Sequence, residues 1–165
     1  MKIKSMNANF NADPKVMEFM PKVLSRQESH SLVERIESNF TEHGFGLFAA
    51  ELVNSQTFIG FIGLAIPRFQ ASFTPCVEIG WRIAFEHWGN GYATEGARAV
   101  LEFAFTELTL REVVSFTVTA NLRSRRVMER IGMKFIEEFD HPSLPEGHLL
   151  KRHVLYAITK ASWNQ

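Results

Sequence analysis

Apolar positions in this chain follow a helical period in some stretches and a strand period in others, and the changes of period mark its elements. Leu32, Val33, Ile36 and Phe40 fall on one helical face. Ser25 followed by Glu28 has the form of a capping box at the start of that helix, and Gly44 supplies its stop. Upstream, Asp13-Pro14 followed by Val16, Met17, Phe19 and Met20 predicts a short helix ended by Pro21. The period then changes. Residues 46–53 and 57–66 are β-prone runs separated by Asn54-Ser55-Gln56, which predicts a hairpin closed off by Pro67.

Beyond a loop over 68–75, with two exposed-looking phenylalanines (Phe69 and Phe73), a third strand is predicted over 77–85. A helix follows from 92 to 108, with Ala93, Ala97, Val100, Leu101 and Ala104 on one face. A fourth strand (112–119), a helix from Asn121 to Ile131 with Gly132 just past its end, a fifth strand (133–139), a Pro/Gly loop (141–147) and a final strand (151–159) complete the pattern. Helices, then a hairpin, then strand–helix–strand–helix–strand–strand predicts a mixed α/β sheet in one domain spanning 1–165. The strand–helix–strand crossover should be parallel.

Composition narrows the function classes. With 165 residues and 45% hydrophobic content, one packed domain fits and global disorder does not. Lysine plus arginine balances aspartate plus glutamate at 18 each, which argues against a nucleic-acid-coating protein. The single cysteine, Cys76, permits no internal disulfide and no thiolate metal cluster, as expected of a reducing cytoplasm. Its setting gives no support for reactivity. No apolar run reaches membrane-span length, and the N-terminal segment lacks a signal-peptide core. His141, His148 and His153 cluster late in the chain, but their spacing matches no metal pattern. His153 begins the last strand and is a candidate to face a substrate; His87 lies beside a glycine turn.

That turn carries the chemistry. In Trp88-Gly89-Asn90-Gly91-Tyr92-Ala93 a strand gives way to a helix through two glycines, with Glu78 upstream on the strand. Glycines allow close backbone approach, and the helix start offers outward N–H groups and positive potential, a combination suited to a phosphate-bearing ligand. A dinucleotide fingerprint lacks its third glycine, a Walker loop lacks its Gly-Lys-Ser/Thr, and a plain strand–turn–helix junction stays open. A second cluster, Asn121-Leu122-Arg123-Ser124-Arg125-Arg126, sets a good N-cap before three arginines that oppose the helix dipole. An anionic ligand there would relieve that repulsion; a solvated basic face is the alternative.

Together these clusters resemble the GNAT superfamily of N-acetyltransferases. Trp88 to Ala93 is similar to the family's Arg/Gln-x-x-Gly-x-Gly/Ala loop, and Trp-Gly-x-Gly-Tyr-Ala-Thr-Glu is similar to the RimJ/RimL branch. Asn121, Ser124 and Gly132 fit the family's next-helix pattern, and the likeness runs from about Asn11 to Lys160. The resemblance implies a mixed, mostly antiparallel central sheet flanked by helices, and acetyl-CoA as co-substrate without a metal. It implies that amides of Gly89, Asn90, Gly91, Tyr92, Ala93 and Thr94, after Trp88, hold the pyrophosphate. It further implies that main chain at Arg82 and Ile83 pairs with the pantetheine arm, that Asn121 contacts that arm or a water, and that one or more of Arg123, Arg125 and Arg126 lie near the adenosine phosphate.

The reaction needs a base, because a free alkyl amine is mostly protonated at neutral pH. Glu78 is the candidate, since some branches place a glutamate there; an edge-exposed carboxylate or a partner for Arg82 is the plainer reading. Many members carry a tyrosine seven residues after the asparagine as the acid. Met128 stands there instead, which leaves Ser124 or solvent to protonate the leaving thiolate.

RimJ/RimL-like chains also open with an extra strand, of which Lys2-Ile3-Lys4 is the only trace, so the first strand is expected to be short or missing. An edge left bare in this way suggests a homodimer. The expected function is therefore cytoplasmic acetyl transfer to a primary amine (a protein N-terminus or small amine) in a ternary complex, with no membrane or nucleic-acid partner. A degenerate acetyl-CoA sensor or scaffold and an unrelated phosphate-ligand protein are the alternatives.

Overall fold

The computed structural model describes residues 8–163. Lys2-Ile3-Lys4, and with them the expectation about a first strand, lie outside the described residues. The sheet has the strand order β1-β2-β3-β4-β6-β5, with β1 (Leu47–Glu51), β2 (Phe58–Ala65), β3 (Glu78–Ile83), β4 (Glu112–Val118), β5 (Lys134–Asp140) and β6 (Arg152–Thr159). The β1–β2, β4–β6 and β5–β6 pairs are antiparallel, and β3–β4 is parallel, as the crossover rule requires. Helices α1 (Ala8–Ala12), α2 (Arg26–His43), α3 (Tyr92–Thr106), α4 (Leu122–Arg130) and α5 (Lys160–Trp163) complete the mixed α/β architecture.

The described residues divide into two compact units, 8–65 with 80–96 and 66–79 with 97–163. In the first, α2 begins as its sequence requires. Ser25 Oγ accepts from the Glu28 amide, and the Glu28 carboxylate accepts from the Ser25 amide at 2.8 Å. Gly44 stops the helix in a left-handed conformation at φ 77°. Lys22 adds an ion pair to Glu28. The core here gathers Phe10, Phe61 and Ala84 with Val16, Leu32, Leu47 and Phe58 around it. Phe10 meets Phe58 and Phe61 edge-on at ring separations of 5.6 and 5.9 Å.

The segment read as a short helix after Asp13-Pro14 is a series of turns. Met17 N donates to Asp13 O, but Met20 N donates to Met17 O, so the spacing tightens before a helix can propagate. Pro14 and Pro21 bracket too few residues to repay helix nucleation.

In the second unit, β6 is the central strand, paired along its length with β4 on one side and β5 on the other. Leu101, Phe105, Val113, Met128 and Val154 are buried. Phe69 and Phe73 are not the exposed rings that their loop position suggested. Phe69 packs on Phe116 at 5.5 Å, and Phe73 on Phe139 at 4.9 Å. The short α5 carries no periodic signal of its own in the sequence; Ser162 Oγ closes it back onto the Thr159 carbonyl.

Candidate active site

The glycine turn lies in the first unit. After β3 a 3-10 turn at Phe85–His87 redirects the chain, and Gly89 and Gly91 adopt φ of 79° and 83°. A side chain at either would meet nothing within 4 Å, so the glycines answer to backbone conformation and leave their outer face open. Asn90 Nδ2 ties the turn by donating to the carbonyls of His87 and Trp88, both at 3.1 Å. Trp88 Nε1 donates to the Ile83 carbonyl at 2.7 Å, so part of that carbonyl's accepting capacity is already used.

The first helical bond of α3 runs from Glu95 N to Gly91 O. Among the described residues, no backbone amide from Gly89 to Thr94 donates to a main-chain acceptor. Unpaired donors at the start of a long helix are able to hold an anion.

Arg82, expected to contribute main chain, directs its side chain elsewhere in the same unit. Nη1 donates to Asn11 Oδ1 at 2.8 Å, and the guanidinium carbon stands 5.0 Å from the Phe61 ring centre. Its carbonyl closely faces Gly60, where a Cβ could not fit.

In the second unit, Glu78 opens β3 opposite Val114. Paired residues share a sheet face and alternate residues return to it, so Glu78 lies on the face of Val114, Phe116 and Val118. The β4–β6 register adds His153 opposite Val118, and the β5–β6 register adds Phe139. Phe69 and Phe73 cover part of this face. Among the described residues no hydrogen bond or ion pair reaches the half-buried Glu78 carboxyl, and Arg82 turns to Asn11 and Met20 instead. Burial alone pushes it up to about 8. Cys76, two residues before it, is also pushed up, to about 11, by burial first and then by Glu78 and Glu112. A raised pKa disfavours the nucleophilic thiolate.

His141 and His153 stack at 4.9 Å within the aromatic group, and burial lowers both below the usual histidine range. His153 Nδ1 lies 3.0 Å from the Lys151 carbonyl, and His141 Nδ1 accepts from Ser143 N at 3.2 Å. Two neutral imidazoles belonging to one aromatic cluster are what the sequence did not disclose; the recurring Phe at 69, 73, 116 and 139 was the available signal.

The opposite face carries the second sequence cluster. Asn121 caps α4 by accepting from Ser124 N, and its Nδ2 donates to Thr117 Oγ1 at 3.0 Å and Ser124 Oγ at 3.1 Å. With Ser124 Oγ accepting from Asn121, its own proton is available to donate elsewhere. Arg125 Nη1 donates to the Thr119 carbonyl at 3.1 Å, while Arg123 and Arg126 are exposed. Met128, at the position where an acid was expected, is 1% exposed and belongs to the core. Tyr156, also on this face, donates to Glu129 at 3.1 Å. Among the described residues no cluster of His, Cys, Asp and Glu has the arrangement of a metal site, and no helix is long and apolar enough to cross a membrane.

A family model described as an acetyltransferase (GNAT) domain matches residues 3–134. The FsC-acetyl coenzyme A-N(2)-transacetylase of Aspergillus fumigatus is 40% identical over 96 residues, which cover 54% of this chain and 39% of the fungal protein. An uncharacterized N-acetyltransferase of Bacillus subtilis, YnaD, is 29% identical over 94% of this chain and 86% of its own. Among solved structures, an acetyltransferase of the GNAT family from Bacillus anthracis superposes with a TM-score of 0.74 at 26% identity, covering 93% of this chain and 87% of that one.

Proposed function

The chain belongs to the acetyltransferase (GNAT) family, and on that premise we propose that it transfers an acetyl group from acetyl-CoA to a primary amine by direct attack in a ternary complex. The observation that carries this reading is the run of unpaired amides from Gly89 to Thr94 at the start of α3, an anion site suited to a pyrophosphate. The name of the Aspergillus relative, FsC-acetyl coenzyme A-N(2)-transacetylase, points to the same donor and to nitrogen as the acceptor.

Each group then has a role. Amides of Gly89 to Thr94 hold the pyrophosphate, with the Trp88–Ile83 bond fixing the turn beneath them. Main chain at Arg82 and Ile83 pairs with the pantetheine arm. Asn121 contacts that arm or a water, and Arg123, Arg125 and Arg126 serve the adenosine phosphate. Glu78 removes a proton from the acceptor ammonium, directly or through water. The neutral amine attacks the thioester carbonyl, and a strand N–H receives the developing oxyanion. The C–S bond breaks, the nitrogen gives up its second proton to solvent, and the departing thiolate takes a proton from solvent or from Ser124, which solvent then reprotonates. A carboxyl near 8 suits this work, because a base is most effective with a pKa close to the operating pH.

The RimJ/RimL branch, a single domain over 1–165, a homodimer and a cytoplasmic location belong to the same proposal. The motif at Trp88 to Glu95 supports the branch and the lone cysteine a reducing compartment, while the homodimer follows from the expected short first strand. The buried Met128 keeps a second reading in view, an acetyl-CoA sensor without turnover. Measuring CoA thiol release across a panel of primary amines separates the two. Amine-dependent release is expected. Acetyl-CoA binding with no release for any amine would establish the sensor instead.

A further inference from the structure

Among the described residues Arg82 is a cation without a paired counter-charge. Its recorded partners are neutral: Asn11 Oδ1 at 2.8 Å, Met20 Sδ at 3.3 Å and the Phe61 ring at 5.0 Å. Among the described residues no carboxylate pairs with it, and residues 1–7 contribute no acidic side chain. Desolvation pulls its pKa down to about 10, with no acidic neighbour to offset the effect. Holding a guanidinium this way is costly, and a methionine or leucine of similar bulk would fill the space without that cost.

The support around it is also more than packing requires. Asn11 is 0% exposed and spends both ends of its amide on this arrangement. Its Oδ1 accepts from Arg82, and its Nδ2 donates to Ser29 Oγ at 3.2 Å. Ser29 is itself buried. A buried amide and a hydroxyl therefore orient one edge of the guanidinium, while the arginine keeps part of its surface. Nε has no recorded partner among the described residues, and Nη2 meets only a thioether, a weak acceptor. The Nε–Nη2 edge is the side of the fork that matches the two oxygens of a carboxylate.

We propose that Arg82 is a specificity-determining residue that receives a carboxylate of the acceptor, so that the preferred substrates are amines that also carry a free carboxylate. The inference rests on the acetyl-transfer reading, in which the glycine turn already takes the donor's pyrophosphate and any anion at Arg82 comes from the second substrate. The guanidinium acts through binding and takes no part in proton transfer.

The test uses the full chain and matched acceptor pairs, free amino acids and short ω-amino acids against their carboxamides, each assayed by CoA release. For the best pair, kcat/KM for the acid form is expected to exceed that for the amide at least tenfold. In Arg82→Gln this ratio falls to near one; in Arg82→Lys it falls only part of the way, because charge remains and the fork is lost. Asn11→Asp is the second variant. It keeps the tether and places a carboxylate against Nη1, so the internal partner should remove the preference even if Arg82→Gln folds poorly. Equal kcat/KM for acid and amide forms in the wild type overturns the inference and leaves acetyl transfer standing, as does a ratio unchanged in both Arg82→Gln and Asn11→Asp. If no pair is turned over, the acetyl-transfer reading is decided by the wider amine panel. The acid–amide preference is then read from the calorimetric affinity of the same pairs in the presence of CoA, where equal affinity overturns it.

Discussion

Among the described residues Glu78 has no donor to hold its charge, and its burial sets both its chemistry and its cost. Burial raises its pKa to about 8, so the folded state holds the proton more tightly than the unfolded chain, whose glutamate titrates near 4.5. The sign follows from linkage: between those values the native state binds more protons, so stability falls as pH rises, and the loss is complete above about 8. Glu78→Gln removes this dependence. In melts at pH 5 and pH 9 the variant should lose less stability than the wild type over the interval; an equal loss in both would mean the carboxyl is not desolvated. Catalysis should move the other way. With wild type, kcat/KM should rise with pH to a plateau above about 8, whereas Glu78→Gln should be slower by roughly 10²–10⁴-fold and lack that limb. The residue was legible in the sequence as a candidate, but its desolvation was not, because it depends on the β3–β4–β6 register and on rings from distant parts of the chain.

Elements were legible where their signals are local. The capping box of Ser25 and Glu28, the stop at Gly44 and the Asn121 cap each involve residues within one turn, and each forms as its sequence states. The glycine turn is of the same kind, and it makes a sharp prediction. Gly91 sits at φ 83° with open space where a Cβ would stand, so Gly91→Ala meets no clash and costs only left-handed strain. That strain is about 1–2 kcal/mol, a loss of roughly 2–8 °C in melting temperature for a chain of this size. The same methyl would stand on the face open to ligand, so acetyl-CoA affinity should fall by about tenfold or more, ~1.4 kcal/mol. A variant that melts lower but binds acetyl-CoA as before would count against amides at the turn as the donor site.

The aromatic group is the opposite case. Phe69, Phe73, Phe116, Phe139, His141 and His153 come from a loop, three strands and a strand end, and nothing local announces their meeting. Their burial leaves His141 and His153 with lowered pKa values, so the unfolded chain takes up protons at these positions before the native state does. Stability should drop as pH falls below the ordinary histidine range near 6.5. His153→Phe keeps a ring in the cluster and loses the titration. Its melting temperature should fall less than that of the wild type between pH 7 and pH 5, and an equal fall would assign the acid sensitivity elsewhere.

For the whole molecule, the order of elements and the mixed sheet were readable because each crossover leaves few topologies open. The inward turn of Arg82 toward Asn11, far back in the chain, was not, since no periodicity links a strand to a helix so distant. The balanced charge of 18 against 18 predicts how the chain responds to polyanions. A protein that bound phosphates by bulk electrostatics would be stabilised alike by ATP and acetyl-CoA, and increasingly so at low salt. A site built from fixed backbone amides and pantetheine-pairing strand should instead distinguish the two ligands. Binding to the native state alone stabilises by RT ln(1 + [L]/Kd), so acetyl-CoA at ~100 Kd should add about 2.7 kcal/mol. ATP at the same concentration should add little, and raising the salt should leave most of the acetyl-CoA increment in place. Thermal melts with each ligand at 50 and 500 mM salt read this directly. Equal shifts with ATP and acetyl-CoA, both vanishing at high salt, would return the glycine turn to a general phosphate site and remove the basis for an acetyl donor.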